Sequence, residues 1–249
     1  MSQTIETDLL IIGAGPVGLF TVFEAGLIKL RCHLIDYLPQ PGGQCTEIYP
    51  KKPIYDIPGF PSVLAGDLIH NLMEQIAPFK PGFTLGERAE EMRQTDDGKF
   101  EIITTSGTIH RASCVAIAAG LGVFEPRKPP IENLADFENK GVDYIIKEPE
   151  KFRNQRVVVA GGGDSALDWS IILADIAAEV VLVHRRSSFR GALDSAEKVT
   201  ELAHAGKIKL VTEAEVTGLN GNGNLEEVVI TFNNGETTTH STDYYLPLF

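Results

Sequence analysis

Two apolar runs, Leu9 to Ile12 and Val157 to Ala160, are short, uninterrupted and rich in branched side chains, the pattern of strands buried on both faces. Each runs into a small-residue turn, Gly13-Ala-Gly-Pro-Val-Gly18 in one case and Gly161-Gly-Gly-Asp-Ser-Ala166 in the other. Each turn opens a segment with helical character, Pro16 to Lys29 and Asp164 to Ala177. A second strand then ends 23 residues beyond the first glycine, at Asp36 and at His184. The first half continues with a long loop (Pro39 to Pro61), a helix near Ala65 to Ala77 and a strand near Phe83 to Ala89. Turns at Asp96-Asp97-Gly98 and Ser106-Gly107 then lead to a strand from Cys114 to Ala118. The second half repeats the plan: a helix from Ala192 to Ala205, a strand from Ile208 to Thr212, turns at Asn220 to Asn224 and Asn233-Asn234-Gly235, and a last strand near Tyr244 to Leu248. This alternation predicts an α/β protein with two Rossmann-like dinucleotide-binding domains, each a parallel sheet with crossover helices and a small antiparallel β-meander. Gly120 to Pro130, which holds Gly122, Pro126, Pro129 and Pro130, is the expected hinge.

The two turns carry the chemistry. Glycine accepts the dihedrals of a tight turn and lets a pyrophosphate approach the backbone, and the helix that follows presents its positive end to the phosphates. Gly13, Gly15 and Gly18 with Pro16 form the first such loop; Gly161, Gly163 and Ala166 with Asp164 and Ser165 form the second. The residue at the end of the next strand selects the ribose. Asp36 can accept hydrogen bonds from an unphosphorylated 2′-hydroxyl and would repel a 2′-phosphate, whereas His184, Arg185, Arg186 and nearby Arg190 would attract one. The first site therefore suits FAD or NAD and the second NADP. The plain alternative for the arginines is a solvated basic edge; their position at a strand end favours the phosphate site.

Composition narrows the function further. With 249 residues and 43% apolar content the chain can bury two modest cores. No apolar run reaches the roughly 18 residues of a membrane helix, and the acidic start lacks the basic region of a secretory signal, so a cytoplasmic protein without a membrane partner is expected. A net charge of −12 argues against a nucleic-acid partner. Cys32, Cys45 and Cys114 share no Cys-x-x-Cys spacing, so neither a zinc site nor a local dithiol can be assembled from neighbouring residues, and no metal is expected.

Taken together, the first glycine loop, Pro41-Gly-Gly-Gln44, Ala118-Ala-Gly120, the second loop and His184-Arg-Arg-x-x-Phe-Arg190 resemble the low-molecular-weight thioredoxin reductase superfamily over the whole chain. The redox Cys-x-x-Cys of thioredoxin reductases would fall at about Tyr144 and Lys147, where there is no cysteine. Tyr49-Pro50, the run from Ile54 to Pro61 and Asp164 to Trp169 resemble instead the thioredoxin-reductase-like ferredoxin–NADP reductases. That resemblance implies FAD and NADP(H) as cofactors, with Asp36 on the FAD ribose, Gln44 near the flavin and Tyr49 stacked on its ring. It also implies the Ala89 backbone at the adenine, Phe124 near the flavin, and Ser165 with the backbone of residues 162 to 165 on the NADP pyrophosphate. An aromatic face on the ring would exclude water and tune its potential; Cys45, beside Gln44 but without a partner thiol, reads as a buried bystander.

The resemblance further implies hydride transfer from NADPH to FAD and single-electron transfer to ferredoxin or flavodoxin, with no single catalytic acid or base. A homodimer is compatible with it. Members of the family return to the FAD domain after the NADPH domain, and this sequence stops where that return begins. Residues 1–118 then read as an incomplete FAD domain, 119–245 as the NADPH domain and 246–249 as the start of the return. On that reading FAD binding is expected to be weak, and the sheet near Leu9 to Ile12 is expected to lose a neighbouring strand. Two rivals remain: a thioredoxin-reductase-type disulfide reductase, and a catalytically silent NADP-binding fragment.

Overall fold

The computed structural model describes residues 4–122 and 125–249, which divide into two compact units after residue 124. The division falls inside the glycine- and proline-rich segment from Gly120 to Pro130. Phe124 lies outside the described residues.

The N-terminal unit begins with β1 (Thr4–Ile12), α1 (Pro16–Leu27) and β2 (Cys32–Asp36). Next come α2 (Gln44–Glu47), β3 (Pro53–Ile54), β4 (Val63–Leu64) and α3 (Ala65–Ile76). Four further strands, β5 (Gly82–Leu85), β6 (Ala89–Gln94), β7 (Phe100–Thr104) and β8 (Ile109–Ile117), complete it. Its main sheet has the order β5-β2-β1-β8-β7-β6, with β5, β2, β1 and β8 parallel and the β6–β8 meander antiparallel. Consecutive residues of β1 and β2 are buried in opposite directions. Ile11 and Leu34 join the core beneath α1 and α3, while Leu10 and Ile35 join Ile102 and Ala112 on the other face. Both faces are covered, which is why these strands read as solid apolar runs rather than alternating ones.

In the C-terminal unit α4 (Leu134–Phe137) precedes β9 (Arg156–Ala160), α5 (Asp164–Leu173), β10 (Glu179–His184) and α6 (Leu193–His204). Five strands follow: β11 (Lys209–Thr212), β12 (Ala214–Asn220), β13 (Glu227–Phe232), β14 (Thr237–Ser241) and β15 (Tyr244–Pro247). A four-stranded parallel sheet, β11-β10-β9-β15, stands beside a three-stranded antiparallel one, β12-β13-β14, with one core built from both. No helix among the described residues is long and apolar enough to cross a membrane.

Several expectations from sequence need correction. The strand expected from Phe83 to Ala89 is two strands, because Gly86 turns the chain at φ +74° and its N–H donates to the Leu38 carbonyl. Helix α1 stops at Leu27, with Lys29 in the left-handed region at φ +66°, and α5 stops at Leu173. The long loop from Pro39 to Pro61 carries α2 and β3. The segment Leu9 to Ile12 is not left at an edge: β1 lies between β2 and β8, and the edges of the sheet are β5 and β6.

Candidate functional site

In the N-terminal unit the three glycines of the first loop do three different things. Gly13 turns the chain at φ +106°, and a Cβ there would overlap the Ala118 carbonyl oxygen at the end of β8. Gly18 is packed so tightly under the loop that a Cβ would overlap the Gly13 carbonyl oxygen. Around Gly15, by contrast, a Cβ would meet nothing within 4 Å. Gly15 is also the N-cap of α1, with no side chain capping it and no acidic residue in the first turn. The opening therefore exposes unpaired backbone donors and the positive helix end to any anion that enters.

Asp36 ends β2 beside this opening. Its Oδ2 accepts the Ala14 N–H at 2.7 Å and its Oδ1 accepts the Leu38 N–H at 2.9 Å. Each carboxylate oxygen keeps a further lone pair, so the side chain can brace the loop and still accept from a ribose hydroxyl. A second glycine turn rests on the first: Gly42 (φ +118°) and Gly43 (φ +57°) lead into α2, and a Cβ on Gly43 would lie 3.2 Å from the Gly15 Cα. This contact brings Gln44, Cys45 and Tyr49 to the loop.

The resulting cleft encloses about 490 Å³ and is lined by Gly13, Gly15, Pro16, Asp36, Gln44, Tyr49 and Ala89. Gly18 is the packing residue beneath it. Residues that the sequence reading passed over also line it, among them Glu87, Arg88 and Gly120. Gly120 lay within a motif already noted, and Arg88 adjoins Ala89, but nothing in the local pattern marked Glu87. Burial pushes both the Cys45 thiol and the Tyr49 hydroxyl up from their ordinary values, and the two are hydrogen-bonded to each other. Cys45 thus stays a protonated, weakly reactive thiol at neutral pH. Lys52 Nζ stands 5.6 Å from the centre of the Tyr49 ring, within cation–π range. Cys32 and Cys114 both lie in register with Leu9, one on each side of β1, so two strand spacings of about 10 Å separate their Cα atoms, more than a disulfide spans.

The second loop is built on the same plan with different braces. A Cβ on Gly161 would overlap the Leu248 carbonyl oxygen, and one on Gly162 would overlap the His184 ring. Gly163 is the uncapped N-cap of α5, and Ala166 is fully buried beneath the turn. Asp164 and Ser165 are exposed at the first turn of the helix, and Asp164 Oδ1 accepts the Ala192 N–H at 2.7 Å. The Arg190 and Gly191 N–H groups both donate to the Gly162 carbonyl, at 2.7 and 3.1 Å. A Cβ on Gly191 would lie 3.0 Å from the Asp164 nitrogen, so this second glycine, not singled out from sequence, permits the close approach. The only sequence signal for it was its place immediately after Arg190.

Arg185, Arg186 and Arg190 are exposed beside the loop, and none is ion-paired among the described residues. His184 parts company with them. It is only 9% exposed, its Nε2 lies 3.0 Å from the Ser188 carbonyl oxygen, and its ring stacks on Phe189 at 5.3 Å. Burial first, and then the three neighbouring guanidiniums, hold its pKa below the usual histidine range, against the opposing effect of the Ser188 carbonyl.

Another cavity in the C-terminal unit, of about 520 Å³, contains none of the glycine-loop or arginine residues. It includes Tyr144 and Lys147, the positions matched to a dithiol by resemblance. The Tyr144 hydroxyl donates to Glu138 at 2.7 Å, Lys128 pairs with Glu138 at 2.6 Å, and Lys151 pairs with Asp143 at 2.6 Å. These contacts tie Lys128, Glu138 and Tyr144 into one group and Asp143 and Lys151 into another along its wall.

The model of the pyridine nucleotide-disulphide oxidoreductase family matches residues 7–246. Ferredoxin–NADP reductase 2 of Christiangramia forsetii is 67% identical over 98% of this chain and 70% of its own length. Ferredoxin–NADP reductase of Flavobacterium johnsoniae is 64% identical with the same coverage. Thioredoxin reductase from Lactococcus lactis superposes with a TM-score of 0.83 over 97% of this chain and 77% of its own, at 22% identity, a likeness of fold. From a matched model that spans both glycine loops and relatives identical at two positions in three, the chain belongs to the pyridine nucleotide-disulphide oxidoreductase family.

Proposed function

We propose that this protein is an FAD-dependent ferredoxin–NADP reductase. The observation that carries the reading is the presence, in one chain, of two glycine cradles with opposite charge beside them, an Asp36 carboxylate in one and three exposed guanidiniums in the other, none of them ion-paired among the described residues. Close relatives bearing the name ferredoxin–NADP reductase support it.

The cleft of the N-terminal unit fits FAD. Gly15 leaves room for the pyrophosphate, Asp36 would accept from the adenosine ribose, and the Ala89 backbone would meet the adenine. Gln44 and Tyr49 would hold the flavin end, where the aromatic ring excludes water. In the C-terminal unit, Gly161 to Ala166 would cradle the NADPH pyrophosphate while Arg185, Arg186 and Arg190 bind the 2′-phosphate by charge-assisted hydrogen bonds. FAD supplies, when bound, the ability to take a hydride from NADPH and return electrons one at a time. The chain's own residues position, orient and exclude water, and none is assigned a proton transfer. Ferredoxin is the electron partner of this reading and flavodoxin a second acceptor of the same kind.

The test combines flavin content with turnover. Purified protein supplied with FAD is expected to bind it and to reduce ferredoxin at the expense of NADPH, with NADH a poor substitute. Reduction of a protein disulfide but not of ferredoxin would overturn the reading in favour of a disulfide reductase.

A further inference from the structure

His184 comes from the same motif as Arg185, Arg186 and Arg190, yet its side chain is buried against the glycine loop while theirs are exposed. The Ser188 carbonyl can only accept, so Nε2 must carry the proton of that 3.0 Å hydrogen bond. The ring lies against the Gly162 backbone, where a Cβ could not fit, and stacks on Phe189. The Gly162 carbonyl in turn accepts the N–H groups of Arg190 and Gly191. The segment that bears Arg185, Arg186 and Arg190 is therefore fastened to the glycine loop at two points, one through the His184 ring and one through the Arg190–Gly191 backbone. The arginines themselves are exposed and reach no carboxylate among the described residues. Their direction is set by the backbone that carries them.

We propose that His184 is a positioning residue for NADPH selectivity: as a neutral N–H donor to Ser188, packed on Gly162, it fixes the 185–190 turn so that the three guanidiniums converge on one 2′-phosphate. It touches neither the phosphate nor the reacting atoms. Burial beside three cations, which disfavours a fourth charge, agrees with the neutral form. The inference rests on the reading of this loop as the NADPH site, and the experiment separates the two.

Two probes are titrated by calorimetry into the purified protein: 2′,5′-ADP, which carries the 2′-phosphate, and 5′-AMP, which lacks it. The control is Arg185→Ala with Arg186→Ala. His184→Phe keeps a ring against Gly162 but removes the donor, and His184→Gln restores an N–H near the Nε2 position. Losing the positioning hydrogen bond is expected to weaken 2′,5′-ADP about tenfold in His184→Phe, with 5′-AMP affinity unchanged and most of the loss recovered in His184→Gln. Equal weakening of both probes, or no weakening of 2′,5′-ADP in His184→Phe while the arginine control loses it, would overturn the positioning role alone. An arginine control that binds 2′,5′-ADP as tightly as the native protein would overturn the NADPH-site reading itself.

Discussion

The two glycine loops are matched in backbone and opposite in how they are braced. In the N-terminal unit the brace is ionic: Asp36 takes the Ala14 and Leu38 N–H groups with its two carboxylate oxygens. In the C-terminal unit the residue at the same offset, His184, braces by shape, its ring seated on Gly162 and its N–H given to Ser188. The difference follows from the ligand each loop is proposed to hold. A carboxylate can both stiffen its loop and accept from a neutral ribose, so bracing and selection reside in one side chain. A loop that selects a phosphate needs cations free to reach it, and a cation tied to its own backbone would be spent on that contact. The two jobs are therefore divided, with a neutral ring as brace and exposed arginines as selectors.

His110 of β8 is completely buried in the N-terminal unit, with both ring nitrogens unpartnered, and the ring of His33 lies 4.8 Å away. Burial and the neighbouring His33 push its pKa down to about 4, against the opposing pull of Glu87. A base whose folded pKa lies below its unfolded value, 6.5, contributes stability that is present above that value and is lost as pH falls. The N-terminal unit is expected to lose about 2–3 kcal/mol between roughly pH 6.5 and pH 4. Thermal melting across that range checks this, and His110→Leu should flatten the dependence. A His110→Leu protein with an unchanged pH profile would show that other groups cause it.

A smaller effect is expected from Asp36→Asn, which keeps the shape of the brace and removes its charge. Losing charge-assisted acceptance should cost about 2 kcal/mol, or ~30-fold in FAD affinity, read by flavin fluorescence titration. Binding of 2′,5′-ADP should not change. Loss of both ligands would show that the two braces are not independent.

The smallest change is expected in the polar cavity of the C-terminal unit. Lys151→Ala removes a partly exposed pair with Asp143 and should alter the melting free energy by less than about 1 kcal/mol, with no effect on 2′,5′-ADP binding. A clear loss of nucleotide affinity in this variant would bring that cavity into the cofactor site.

Sequence by itself determined the two strand–turn–helix units, because Leu9 to Ile12 and Val157 to Ala160 are apolar runs covered on both faces and Gly13, Gly18, Gly161 and Gly162 stand where a Cβ would overlap its surroundings. It determined the charge beside each glycine loop as well, since Asp36 ends β2 and Arg185 directly follows the end of β10. Tertiary structure decided which side chains of a motif are buried and which are exposed. His184 and Arg185 are neighbours in sequence, but β10 ends at His184 and the absence of a Cβ on Gly162 gives its ring a buried seat, while the guanidinium of Arg185, beyond the strand, is exposed. It also decided that Gly86 divides one apparent strand, that Cys32 and Cys114 stand two strands apart, and that His110 is shut away from water beside His33. Each of these depends on contacts between segments far apart in the chain, and a local pattern of residue types holds no record of them.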